Sequence, residues 1–127
     1  MIERQRVNSG SPFEDRIGFC RAIRIDNRIL VAGTAPIWEN GEVSRDPGLQ
    51  TKRCFEIIGE ALQALGARLH DIVRTRMYLV DSADAEAVGS AHGELFGAHQ
   101  PAATMVVVSQ LLDPRWRVEI EAEAITG

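Results

Sequence analysis

Arg117-Val118-Glu119-Ile120-Glu121-Ala122-Glu123-Ala124-Ile125 alternates charged and apolar side chains as far as Ala124. A period of two marks a strand with one buried face, so Val118, Ile120, Ala122 and Ala124 turn toward a core and Arg117, Glu119, Glu121 and Glu123 away from it. Upstream, Asp71-Ile72-Val73-Arg74-Thr75-Arg76-Met77-Tyr78-Leu79-Val80-Asp81 reads as a second such strand. Val73, Thr75, Met77 and Leu79 fall on one face, Arg74, Arg76 and Tyr78 on the other.

The segments around these strands have helical period. Asp46-Pro47 supplies an N-cap and a first-turn proline, and Phe55, Ile58, Leu62 and Leu65 then recur at three- and four-residue steps until Gly66. Cys54, Ile57 and Ala61 widen that apolar face, and Gly66 suits a left-handed cap. A second helix is predicted over about Ala83–Ala98, capped by Asp81 or Ser82 and presenting Val88, Ala91, Leu95 and Phe96. Phe19–Ile25 and Ile29–Thr34 read as strands joined by an Asp26-Asn27 turn, and Thr104–Gln110 as a late strand. Gly33 closes the second strand of that hairpin, where a missing Cβ permits close approach. Asn40-Gly41 predicts a short extra hairpin within residues 37–43, while the first 16 residues look polar and irregular. The order is β-β-(β)-α-β-α-β-β in one domain, residues 1–127. Two helices cover only one face of a five- or six-stranded sheet. The expectation is an α+β fold whose other face, half polar and half apolar, meets further copies of the chain.

Composition narrows the function. The 127 residues are 45% hydrophobic and 25% charged, an ordinary globular balance that excludes wholesale disorder. Fourteen Lys and Arg against 18 Asp and Glu leave a net charge of −4 and no basic block, which disfavours nucleic acid as a partner. Cys20 and Cys54 form no C-x-x-C pair and read as two buried thiols of a reduced, cytoplasmic chain. The start lacks a secretory h-region, and no apolar run nears the ~18 residues of a membrane span.

Most catalytic signatures are missing. There is no G-x-G-x-x-G and no Walker loop, so no nucleotide cofactor is indicated. Gly89-Ser90-Ala91-His92-Gly93 departs from G-x-S-x-G and lies in a helical pattern, where small residues serve packing. His70, His92 and His99 have no metal-ligand spacing; the last two stand about 10 Å apart along a helix. All three read as surface or interface residues. Glu119 is the candidate acid or base, on the same face as Arg76 if their strands share a sheet. The pair is either a cross-strand salt bridge ordering an interface or a carboxylate handling water beside an anion-binding cation. Arg21 and Arg74 are weaker alternatives to Arg76.

Four ordered motifs resemble the RidA/YjgF family, also described as L-PSP endoribonucleases: Ile29-Leu-Val-Ala-Gly-Thr-Ala-Pro36, the Asp71–Asp81 strand, Pro101-Ala-Ala-Thr-Met-Val-Val-Val108 and Val118-Glu-Ile-Glu-Ala122. The resemblance implies a chorismate-mutase-like α+β fold, a mixed six-stranded sheet with two helices on one face, and a homotrimer with sites in clefts between subunits. It also implies hydrolysis of reactive enamines and imines: an arginine grips the substrate carboxylate, backbone near the S-G-Q glycine assists, and a glutamate orients water. Carried onto this chain, the glutamate is Glu119 and the glycine Gly33, and Thr104 also keeps its place. The arginine's position holds Ala103, the tyrosine's Phe19, the Ser and Gln positions Ala32 and Thr34, and the usual cysteine's Met105. The substrate-binding set is thus Phe19, Gly33, Thr34, Arg76, Tyr78, Ala103, Thr104 and Met105, with no metal and no cofactor.

Three functions fit this reading. One is a Rid-type deaminase or hydrolase of altered specificity acting on a small reactive metabolite. Another is a non-catalytic small-molecule-binding or chaperone-like module. The third, an endoribonuclease or translation inhibitor, sits poorly with the acidic charge. An anionic ligand would require some cation in place of the missing arginine.

Overall fold

The computed structural model describes residues 2–127. Strand β1 (Arg4–Val7) and a short helix α1 (Pro12–Ile17) precede the hairpin β2 (Ala22–Ile25) and β3 (Arg28–Thr34). Helix α2 (Pro47–Ala64) leads to β4 (Ile72–Leu79), helix α3 (Ala85–Phe96) to β5 (Ala102–Val107), and β6 (Val118–Ile125) follows. The six strands form one sheet in the order β1-β2-β3-β6-β4-β5, so β6 lies between two strands that precede it. Among the described residues only β4 and β5 run parallel, joined across α3; every other pairing is antiparallel, giving the mixed α+β sheet expected.

Each helix forms for local reasons. Asp46 caps α2 by accepting from the backbone N–H groups of Gly48 and Leu49, and Gly66 just past its end takes φ +81°. Asp81 accepts from the Ala83 N–H at 2.9 Å and starts the turn that leads into α3. The apolar faces of α2 and α3 lie on one side of the sheet. Phe55, Ile58, Leu62, Val88 and Phe96 are buried there against Ile29, Ile72, Leu79, Val118 and Ile120. Along β6, Val118, Ile120, Ala122 and Ala124 are all buried, as its alternation requires.

Several details differ from the sequence reading. The sixth strand is β1, which pairs with β2 at one edge, and not a hairpin after Pro36; Asn40-Gly41 makes a turn, with Gly41 N–H donating to Trp38 C=O at 2.8 Å, but its flanks join no sheet. Ser11 and Pro12 start α1 inside the stretch read as irregular. The β4–β6 register shifts between Ile72 and Arg74, so Ile72 and Thr75 both face the core and Val73 turns outward, 41% exposed. Leu95 is exposed at 39%, and Cys20 is only half buried because it precedes β2 in an extended link. His92 is half-buried: it packs against Phe55 and Phe96, and its Nε2 lies 2.9 Å from Thr75 Oγ1. Burial, with the nearby His99 adding, holds its pKa below the ordinary histidine value.

A polar clamp joins α2 to the loop before β6. Gln50, fully buried, donates from Nε2 to the carbonyls of Ser44 (2.6 Å) and Arg115 (3.0 Å) and accepts from the Arg117 N–H at 2.7 Å. Replacing it by alanine strands the three part-buried backbone groups it pairs with. Gln50→Ala should therefore lower stability by on the order of 2–4 kcal/mol in urea unfolding. A loss below half a kcal/mol would show that the clamp contributes nothing.

Candidate functional site

The sheet face away from α2 and α3 holds the charged residues. Register places Arg74, Arg76 and Tyr78 of β4 beside Glu119, Glu121 and Glu123 of β6, with Ala102, Thr104 and Val106 of β5 further out on the same side. On the other flank of β6, β3 ends in Gly33 and Thr34, and Arg21 precedes β2.

Glu119 and Gly33 make a close pair. A Cβ on residue 33 would lie 2.6 Å from Glu119 Oε2, so the glutamate lies over the glycine in space that any other residue would occupy. Burial pushes the Glu119 carboxyl above the usual carboxylate range; the Arg21 charge opposes this and Glu121 adds to it. The result is a half-buried carboxylate with raised proton affinity, held against backbone.

Arg76 is not its partner. Arg76 Nη1 lies 3.5 Å from Glu121 and 3.8 Å from Glu123, and Tyr78 donates its hydroxyl to Glu121 at 2.6 Å. Directly opposite Glu119 in the register is Tyr78, not Arg76. The predicted Arg76–Glu119 pair is replaced by a ladder in which Arg76 serves Glu121 and Glu123. The cation near Glu119 is Arg21, a weaker alternative to Arg76 in the sequence. It is half buried, and its Nη2 donates to the Gly33 carbonyl at 2.5 Å. Burial draws its pKa down, with Glu14 and then Glu119 opposing. Glu14 of α1 is itself buried and accepts from the Ser9 N–H at 3.1 and 3.2 Å and from Asn8 Nδ2 at 3.2 Å.

The remaining predicted residues disperse. Thr34 is fully buried and donates to the Ala32 carbonyl at 2.8 Å, while its own carbonyl accepts from the Cys54 thiol at 3.3 Å. Its side chain is therefore a core group, turned from the face that carries Glu119. Burial also raises the Cys54 pKa far above the ordinary thiol value, leaving the thiol inert. Ala103 and Met105 register with Thr75 and Met77 on the helix side of β5, and Met105 packs on the core. Phe19, 39% exposed, and Thr104 are accessible. Sequence reasoning missed Glu14 and ranked Arg21 low. The Ser11-Pro12-Phe13-Glu14 run is a helix-start signal that could have placed Glu14, and counting back from Ala22 puts Arg21 on the outward face. A surface cavity of about 590 Å³ lies beside Val80, Leu111, Pro114 and Trp116, apart from Glu119. Glu119 is half-buried on the sheet face away from the helices. No group of three or more candidate metal-binding side chains occurs among the described residues. No helix there is long and apolar enough to cross a membrane.

Comparison with known proteins agrees with this architecture. A family profile described as Endoribonuclease L-PSP matches residues 12–126. The chain is 40% identical to the uncharacterized protein SCO2049 of Streptomyces coelicolor, over 97% of this chain and 92% of that one. It is 32% identical to the 3-aminoacrylate deaminase RutC of Acinetobacter baylyi, over 81% of this chain and 82% of that one. The crystal structure of Rv2704 from Mycobacterium tuberculosis, a member of the YjgF/YER057c/UK114 family, superposes with a TM-score of 0.90 at 40% identity, covering 98% of this chain and all of the other. With the profile spanning all but the chain's two ends and the fold shared with Rv2704, this chain belongs to the Endoribonuclease L-PSP family, the RidA/YjgF group its motifs resemble.

Proposed function

We propose that the protein is a hydrolytic deaminase of small enamine or imine carboxylates, with a specificity set apart from family members that carry an arginine at position 103. The observation that carries this reading is the Glu119 carboxylate held over Gly33 with raised proton affinity. An enamine reacts as its imine tautomer. A base of that kind takes a proton from water as the oxygen adds to the C=N carbon and passes it to the nitrogen, giving a neutral carbinolamine. Glu119 then takes the carbinolamine hydroxyl proton as the C=O group forms and delivers it to the departing nitrogen, and ammonia leaves. One water is consumed and Glu119 ends as it began. The similarity to RutC of Acinetobacter baylyi, named a 3-aminoacrylate deaminase, supports the reaction class. The row Glu119, Glu121 and Glu123 on the open face disfavours a phosphate backbone as ligand.

The same reading makes the working unit a homotrimer. Ala103 lies on the helix side of β5 and Glu119 on the opposite face, so a cleft containing both is built only between copies. The outward face also exposes Leu30, Val73, Val106 and Ile125, apolar side chains that a neighbour would cover. Light scattering of the purified protein should return the mass of three chains at micromolar concentration. A monomer there would remove the intersubunit cleft.

Ammonia release from 3-aminoacrylate and from 2-iminobutanoate, each generated in situ, tests the activity. Glu119→Gln should lower kcat by roughly 10²–10⁴-fold. Gly33→Ala should have a similar effect with little loss of stability, because the atom its Cβ meets is the mobile end of Glu119 and not backbone. Full activity in Glu119→Gln would exclude this residue as the base.

A stability signature accompanies the glutamate. Folding raises its pKa, so ionised Glu119 costs stability above the folded-state value and costs none below the unfolded-state value. Glu119→Gln should therefore be more stable than the parent at pH 7, and the difference should vanish as pH falls through the carboxylate range. A variant less stable than the parent at pH 7 would show that the ionised group is net favourable.

A further inference from the structure

A substrate carboxylate needs a cation, and alanine at position 103 supplies none. Several arginines near the sheet and its flanking loops are committed elsewhere, and Arg74, opposite Glu123, lies further along β4 than Arg76 from the Tyr78–Glu119 pair. Arg76 serves Glu121 and Glu123, Arg117 forks onto Asp84 at 2.8 and 2.9 Å, and Arg115 pairs with Asp113. Arg53 donates to the Ile37 carbonyl, and Arg24 to the carbonyls of Asp26 and Leu65.

Arg21 is placed differently from these. Its backbone is pinned on both sides: its N–H donates to Val7 at 2.9 Å, and its carbonyl accepts from Ala32 at 3.0 Å. The side chain is held by one bond, from Nη2 to the Gly33 carbonyl. Gly33 is the residue that Glu119 covers, so guanidinium and carboxylate converge on the same peptide. Arg21 Nε is buried without an acceptor, and among the described residues no carboxylate oxygen lies within 4.0 Å of an Arg21 nitrogen. Of five N–H donors, one has a protein acceptor. Glu14, the carboxylate that would otherwise swing across, is held by Ser9 and Asn8. A buried donor left open in this way calls for an acceptor from outside the chain.

We propose, resting on the deaminase reading above, that Arg21 binds the substrate carboxylate in place of an arginine at position 103. The substrate then lies along Gly33, its carboxylate on Arg21 and its C=N end toward Glu119. That placement also defines the ligand class. A short carboxylate with a C=N or C=O group next to it reaches both, its carboxylate on Arg21 and its polar double bond toward Glu119. Inorganic phosphate and larger polyanions are excluded by the same glutamate.

The test uses the intact protein and NMR-detected titration with 2-oxobutanoate, which has the carboxylate of the product class, and with 2-butanone, the same skeleton without it. The parent protein should bind 2-oxobutanoate saturably and show no saturable response to 2-butanone. Arg21→Lys, which keeps the charge and loses the planar fork, should bind about tenfold more weakly. Arg21→Gln should lose on the order of 30-fold or more in affinity, with circular dichroism and assembly state unchanged. If Arg21→Gln does not fold, the lysine variant decides. Parent-like binding of 2-oxobutanoate by the folded variant, or equal binding of the two probes by the parent, overturns the proposal. Failure of the deaminase reading has a different signature. Arg21-dependent binding with no ammonia released from any enamine leaves the carboxylate site standing and removes the reaction. Turnover in Arg21→Gln with unchanged KM does the reverse.

Discussion

Everything in this molecule depends on β6 fitting between β3 and β4. Its inward row of Val118, Ile120, Ala122 and Ala124 meets the faces of α2 and α3 at the centre of the core, and its small alanines let the sheet pack closely near Ile72 and Val31. The same strand, by the plain geometry of alternation, sends Glu119, Glu121 and Glu123 to the other side. Core and candidate site are thus two faces of one alternating strand, and neither can be shifted in register without inverting the other.

The parts of the fold that were legible in the sequence are those with a buried face. α2, α3, β4 and β6 each bury a regular subset of side chains, and that regularity is written in the spacing of Phe55, Ile58 and Leu62 or of Val118, Ile120 and Ala122. β1 was illegible because Arg4-Gln5-Arg6-Val7 is an edge strand with almost nothing buried, held by main-chain bonds to β2 that any residues could make. The Asn40-Gly41 turn was legible as a turn, but its flanking residues pair with no strand of the sheet. Val73 was assigned the wrong face because one extra residue at the β4 bulge breaks the period.

For the site the division is sharper. Glu119 and Gly33 were found by motif, yet their contact is a three-dimensional fact. Arg21 could not be preferred over Arg76 from spacing, because its position relative to Glu119 passes through two registers, β2 on β3 and β3 on β6, the second containing a shift between Val31 and Thr34. Arg76 looked like the better cation because it is one strand away from Glu119. In the folded sheet it is drawn off by the two glutamates further along the same row.

The placement of β6 also bears on how the chain is made. β3 and β4 are synthesised long before residues 118–125, and until those residues leave the ribosome both strands carry an unpaired edge where the sheet's centre will be. Helices α2 and α3 can form on their own local signals, but they have only half a platform to dock on. The nascent chain must therefore wait in a partly open state with adhesive strand edges, the condition in which chaperones engage and neighbouring chains pair wrongly.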